Sequence, residues 1–264
     1  MFQWLKKRRT GIAYGGGAVR GFAHIGVVKA FEEHGIQFDC AVGNSAGSIV
    51  GALYAQGRSW REMRAIAENI SAGNLIGISL RRKGLFSSDK LESFLREMLG
   101  DVTFADLRLP FRCVAVNLYD GKLVELSEGS VAKAVRASCS VPGIFAPTPY
   151  EDKLLVDGGI LNSVPADILP KMGARFRVAV NLNADRGRFL PPHTGVDVLW
   201  SAMKIAWNEN TLVRLRGVDV VIAPDLTGIG YHDLKQRDVL IELGEQAALQ
   251  QIERIRMGMR RRIF

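Results

Sequence analysis

Apolar positions along the chain fall into two kinds of run, separated by glycine-rich or polar breaks. Gly11–Tyr14, Cys40–Val42, Phe176–Leu182 and Val218–Ile222 are short and almost continuously apolar, as expected for buried strands, and Leu154–Val156 is a further short strand. The longer runs carry helical spacing. Between Phe22 and Glu33, Ala23, Val27 and Phe31 recur every four residues on one face. Ala46–Ala55, Arg61–Ile70, Val131–Ala137 and Val198–Leu215 read as further helices, and Arg237–Met257 as one long terminal helix. Lys90–Leu99 has its own punctuation: Asp89 as N-cap, Glu92 three residues on, and Gly100 at the close. Phe111–Asn117 and Lys122–Leu126 flank Asp120-Gly121, a tight-turn pair, and predict a hairpin. Strands that alternate with helices predict a three-layer α/β/α fold around a mostly parallel central sheet, with the hairpin as its antiparallel part.

The 264 residues show no repeat and no Pro- or Ser-rich linker. This predicts a basic tail over residues 1–10 and one domain over 11–264, ending in a basic amphipathic helix. At 47% hydrophobic and 23% charged, the composition is globular. No stretch approaches the ~18 apolar residues of a membrane span. Lys6, Lys7, Arg8 and Arg9 resemble the start of a signal peptide, but glycine-rich sequence follows instead of an apolar core. The expected location is cytoplasmic, with peripheral contact at the inner face of the membrane. Cys40, Cys113 and Cys139 each sit in an apolar run without CxxC spacing, and the four histidines are scattered, so neither a disulfide framework nor a metal site is expected.

Charge changes the picture mainly through its placement. The net +8 comes from the ends: residues 1–10 carry +4 and residues 254–264 carry +5, which leaves −1 for the body. A nucleic-acid binder would instead spread Lys and Arg over a folded face. Basic ends suit an anionic membrane surface, or solubility alone. Leu249, Ile252, Ile255, Met259 and Ile263 are spaced by three or four residues, with Arg254, Arg256, Arg260 and Arg261 beside them. That is the pattern of an interfacial helix, of a face packed on the domain, or of a homo-oligomer contact.

Three segments carry candidate chemistry. Gly43-Asn44-Ser45-Ala46-Gly47 is a G-x-S-x-G motif, which chance alone supplies about 0.16 times in a chain of this composition. Its place between a short strand and a small-residue helix is the setting of a nucleophile elbow, with Ser45 at the helix N-terminus. Gly15-Gly16-Gly17-Ala18-Val19-Arg20-Gly21 also joins a strand to a helix, and its unobstructed N–H groups suit an oxyanion or a phosphate. As a dinucleotide loop it is one residue out of register, although Asp39 lies near the place of a ribose-binding acid. Asp157-Gly158-Gly159 puts a carboxylate at a strand end, where parallel α/β sheets carry their ligands. A Ser-His-Asp triad would draw on His193 or His232, which follow Asp157; His24 and His34 read as packing and surface residues. Cys139 reads as structural, and Pro142, Ile144, Phe145 and Pro147 as core or as the wall of an acyl pocket.

In this order the three segments resemble the patatin-like phospholipase family, in particular its bacterial members. The resemblance spans about residues 11–185 and rests on GGGAVRGFAHIGVVKAFEEHGI, VGNSAGSIVGALYAQG and ASCSVPGIFAPTPYEDKLLVDGGILNSVP. It implies a serine acyl hydrolase acting on phospholipid or lysophospholipid, with Ser45 as nucleophile, Asp157 as base and no cofactor. It further implies an oxyanion hole of Gly15, Gly16 and Gly17, completed by Arg20 and Gly21, with Gly43, Gly47, Gly158 and Gly159 as motif glycines. Asn44 stands where many relatives have threonine, a variable position. The rival function is a catalytically idle, lipid- or membrane-binding member of the same family.

Overall fold

The computed structural model describes residues 9–70, 88–184 and 195–260. Eight strands form one sheet: β1 (Thr10–Tyr14), β2 (Cys40–Gly43), β3 (Phe111–Asn117), β4 (Leu123–Leu126), β5 (Thr148–Tyr150), β6 (Lys153–Asp157), β7 (Phe176–Val180) and β8 (Val220–Ile222). Hydrogen-bonded neighbours run β5-β6-β3-β2-β1-β7-β8, and β4 also pairs with β3. The β3-β2-β1-β7-β8 portion is parallel, while β4, β5 and β6 are joined by antiparallel pairings.

Side-chain alternation splits the strands between two cores. Ile12, Tyr14, Ala41, Cys113, Ala115, Val178 and Val180 face the larger one. Ala13, Cys40, Val42, Val114 and Ala179 face a smaller one, closed by Ile168, Leu169 and Met172 of a 3₁₀ segment, Ala166–Met172. The larger core is covered by α1 (Ala23–Glu33), α2 (Ala46–Ala55), α3 (Trp60–Glu68), α4 (Ser88–Leu99) and α5 (Val131–Ser138). After the short α6 (Gly159–Asn162) and α7 (Gly195–Arg214), α8 (Arg237–Leu249) and α9 (Ile252–Arg260) return to the larger core. The sheet is thus covered on both faces, as the strand pattern predicts.

α1 is buried almost all round, not only along the Ala23, Val27, Phe31 stripe. It lies against α8 so closely that a methyl group on Gly26 would run into the Ile241 carbonyl, and one on Gly244 into that of Ala23. Glycine is therefore required at both positions by backbone contact.

Several elements differ from the sequence-based expectation. The helix expected from Lys90 begins at Ser88, which puts Asp89 inside its first turn rather than at the cap. Glu92 does not close a capping box; it pairs with Arg136 of α5 and Arg96. β5 is hidden in sequence because Pro149 reads as a loop residue, yet proline is tolerated on an edge strand. The long terminal helix breaks at Gln250–Gln251 into α8 and α9. Ile252 and Ile255 of the terminal stripe are buried in the core, while Leu249 is exposed. Arg254 donates to the Asp219 carbonyl at 2.7 Å and Arg256 to that of His34 at 2.9 Å. The apolar face of α9 is thus used inside the domain and is not free for a bilayer; Ile263 lies outside the described residues.

Candidate active site

The pairing of β3 decides where Ser45 and Asp157 meet. Cys113 pairs with both Gly43 of β2 and Leu126 of β4; Ala115 pairs with both Val124 of β4 and Asp157 of β6. A strand has two hydrogen-bonding edges, so β2 and β6 both lie opposite β4, on one edge of β3. β2 runs along β3 and stops at Gly43. β6 runs against it and stops at Asp157. Two strands therefore meet head to head, with Val114 between their last pairs. Asp157 does not sit at the end of a parallel strand, as the sequence suggested. It reaches Ser45 because its strand is antiparallel and approaches from the opposite direction.

Ser45 is the junction between β2 and α2, with φ 51° and ψ −128°, in the left-handed half of backbone space that disfavours a side chain. The surroundings enforce this conformation. The Ser45 N–H donates to Ser138 Oγ at 2.9 Å, and Gly47 N–H to the Asn44 carbonyl at 2.8 Å. Gly47 packs so tightly that a methyl group there would strike the Tyr14 and Gly15 carbonyl oxygens. Ser45 and Asp157 are both buried.

Burial pushes the Asp157 carboxyl up to about 6, against hydrogen bonds from Ser45, the Gly159 N–H and Asn44 that favour its charged form. The Gly159 bond is 2.7 Å. Asn44, a variable position without a role in the sequence reading, is thus in contact with the carboxylate. Cys139 lies beside Ser48, at 3.8 Å; burial pushes its thiol up, so it is neutral, in keeping with a structural role.

The glycine loop divides into anchored and unanchored peptides. Gly15 N–H donates to Val180 O at 3.0 Å and Gly16 N–H to Ser163 O at 2.9 Å. Both are consumed by the fold and cannot also hold an oxyanion. Arg20 N–H donates to Gly17 O at 3.0 Å, and the buried Arg20 guanidinium binds the Ile229, Leu226 and Leu182 carbonyls. Gly21 packs on Ala46. Among the described residues, the N–H groups of Gly17 and Ala18 have no protein acceptor, and both residues line the cleft with Ser45 and Asp157. Ala18 has φ 49°, the second strained non-glycine beside this cleft.

His24, expected as packing, is fully buried under the loop, with Nε2 2.7 Å from the Gly15 carbonyl. The carbonyl can only accept, so this nitrogen carries the proton. Burial pushes His24 down to about 4, which keeps it a neutral donor. Two helical N-termini, at Gly17 and Ser45, meet at the cleft and favour negative charge there.

The cleft is completed by Gly16, Asn44, Val141, Gly159, Ser163, Asn183, Trp207 and Tyr231. Of these, Asn183, Tyr231 and Trp207 carry no motif signal in sequence, being far from Ser45 along the chain. Pro142, Ile144, Phe145 and Pro147 are half-buried and do not line it; Phe145 packs on the larger core. His232 is exposed and outside the cleft, and His193 lies outside the described residues. Asp39 binds Thr10 N–H at 2.7 Å and Thr10 Oγ1 at 2.9 Å at the start of β1, so it is not available as a ribose-binding acid. Among the described residues no cluster of His, Cys, Asp and Glu could hold a metal, and no helix is long and apolar enough to cross a membrane.

The fold and cleft define an α/β protein with a serine–carboxylate pair at a strand-to-helix junction. A profile of the patatin-like phospholipase family matches residues 12–170, and the chain belongs to that family. An NTE family protein of Mycobacterium tuberculosis is 34% identical over 178 residues, covering 66% of this chain and 49% of its own length. A second from the same organism is 30% identical over 267 residues, covering 91% of this chain and 46% of its own. The chain thus spans about half the length of these relatives. The crystal structure of VipD from Legionella pneumophila shares the fold, with a TM-score of 0.63 at 14% identity, over 94% of this chain and 67% of that one.

Proposed function

We propose that the protein is a serine acyl hydrolase that cleaves fatty-acyl esters of phospholipid or lysophospholipid through a Ser45–Asp157 dyad. One observation carries this reading: a strained serine at a helix N-terminus shares one cleft with a buried carboxylate. Membership of a phospholipase family supplies the substrate class. In the first step Ser45 Oγ attacks the acyl carbonyl as Asp157 accepts its proton. The developing oxyanion takes hydrogen bonds from the Gly17 and Ala18 N–H groups. The oxyanion hole is thus narrower than the motif suggests: Gly15, Gly16, Arg20 and Gly21 build the loop, and Gly17 and Ala18 donate. The leaving alcohol takes the proton from Asp157. Water then gives a proton to Asp157 and attacks the acyl-enzyme, which releases the fatty acid and returns Ser45. The basic ends of the chain favour an anionic surface by charge alone.

The test combines fluorophosphonate labelling with fatty-acid release from phosphatidylcholine and lysophosphatidylcholine. The wild-type protein should label and release fatty acid; Ser45→Ala should do neither while keeping its circular dichroism. Labelling without release from any lipid would change the substrate class, and failure to label would favour the idle, lipid-binding reading.

A further inference from the structure

The Gly16–Gly17 peptide has its N–H on the Gly17 side and its carbonyl on the Gly16 side. That carbonyl accepts a 2.9 Å hydrogen bond from Asn183 Nδ2. Asn183 Oδ1 in turn accepts from the Tyr231 hydroxyl at 3.0 Å. The amide orientation is fixed from both ends, since a carbonyl can only accept and the phenol can donate. Arg20 Nη1 donates to the same phenol oxygen at 3.4 Å, and the guanidinium carbon lies 4.3 Å from the ring centroid. Every bond points the same way: from the cation, through phenol and amide, to the peptide whose N–H has no protein acceptor among the described residues and whose Gly17 lines the cleft.

We propose that Asn183, held by Tyr231, is a positioning residue for the oxyanion hole. It fixes the Gly16–Gly17 peptide and polarises the Gly17 N–H. Two properties of the chain support this role. The loop is glycine, so without an anchor this peptide would be free to rotate. The two peptide groups have different partners: Gly16 N–H and the Gly15 carbonyl are held by Ser163 and His24, but among the described residues only Asn183 holds the next carbonyl. A one-way chain of hydrogen bonds beginning at a cation also strengthens the last donor, and most when that donor meets a negative charge. The stabilisation is therefore larger for the oxyanion than for the neutral ester, which is the condition for raising kcat rather than lowering KM. The inference rests on the dyad reading and adds a residue from the loop after β7, outside the segments that carry the family motifs.

The test uses a soluble p-nitrophenyl ester and a trifluoromethyl ketone, which forms an oxyanion on the serine. Asn183→Ala should lower kcat by about 10- to 100-fold, somewhat less than deletion of an oxyanion donor itself, with KM within about threefold. Trifluoromethyl ketone affinity should fall by the same factor as kcat. Asn183→Asp, which puts an acceptor against the Gly16 carbonyl, should lose more. Tyr231→Phe should lose less, and should add nothing in the Asn183→Ala background, because the two act in series. Unchanged kcat, or a raised KM at constant kcat, would reduce Asn183 to a wall of the cleft. Independent, multiplying effects of Tyr231→Phe and Asn183→Ala would break the relay. If Asn183→Ala does not fold, Tyr231→Phe alone still decides through its kcat and ketone affinity. A wild-type protein that neither hydrolyses the ester nor labels with fluorophosphonate overturns the dyad and this proposal together; an active wild type with an unaffected Asn183→Ala overturns this proposal only.

Discussion

The cleft is built from two strand-to-helix junctions that look alike and work differently. β1 enters a helical run at Gly17–Ala18, and β2 enters α2 at Ser45. Each contains one non-glycine residue at positive φ, 49° at Ala18 and 51° at Ser45. Each brings a helix N-terminus to the cleft. At the elbow the group proposed to react is a side chain, and the backbone N–H of Ser45 is bound by Ser138. At the loop the groups proposed to act are the backbone N–H groups of Gly17 and Ala18, which have no protein acceptor among the described residues. One junction spends strain on aiming a hydroxyl; the other spends it on leaving two donors unpaired.

The largest expected effect separates the base from both junctions. Asp157→Asn should lower kcat by roughly 10⁴- to 10⁶-fold, the scale of loss when a serine nucleophile is deprived of its base. It should also stabilise the protein. Burial lifts the carboxyl to about 6 in the folded chain, so the folded protein holds a proton that the unfolded chain releases near pH 4. The carboxylate therefore costs stability that grows as pH rises from about 4 to 6, on the order of 2–3 kcal/mol, and stays constant above. Thermal melts at pH 7 should favour Asp157→Asn, with the difference shrinking toward pH 4; a variant less stable at pH 7 would contradict the burial argument.

Next in size is Gly47→Ala. The added methyl meets backbone carbonyls, which cannot swing aside, so a loss of about 3 kcal/mol and most activity is expected. A fully active, equally stable Gly47→Ala would show that the two junctions are not packed against each other.

The third measurement is a pH profile. Because the base must be ionised, kcat/KM should fall about tenfold per unit below pH 6 and be flat above. A second limb that disappears on His232→Ala would bring a histidine back into the mechanism.

The smallest effect isolates strain. Ala18→Gly and Ser45→Gly each remove a side chain from a left-handed position worth about 1–2 kcal/mol, partly offset by the freer unfolded chain. Both should gain about 1 kcal/mol or less. Ala18→Gly should keep activity within about twofold, whereas Ser45→Gly should be inactive. Loss of activity in a stable Ala18→Gly would mean that the Ala18 methyl, and not only its N–H, shapes the loop.

The two junctions also differ in how far they can be read from sequence. The elbow is legible because its parts are contiguous: strand, Ser45, Gly47 and helix lie within sixteen residues, Cys40–Ala55. Ser45 and Asp157 are both identified by residue type within a motif. The loop is located by its glycines, but its donors are not, because Gly15 and Gly16 differ from Gly17 only in which distant carbonyls claim their N–H groups. Those carbonyls belong to Val180 and Ser163, and no local pattern announces them. The same holds for Asn183 and Tyr231, and for Ile252 and Ile255, whose spacing fits a bilayer face as well as the core they enter.

By itself, then, the sequence determined the alternation of strands and helices, a serine at a helix start and a carboxylate at a strand end. These follow from periodicity, glycine placement and side-chain chemistry, all local properties. The tertiary structure alone decided that β6 runs antiparallel to β3 and meets β2 head to head, which backbone peptides remain unpaired, and which apolar face is covered. Those outcomes depend on competition among hydrogen-bond partners and surfaces that are distant in sequence, and only the folded chain resolves it.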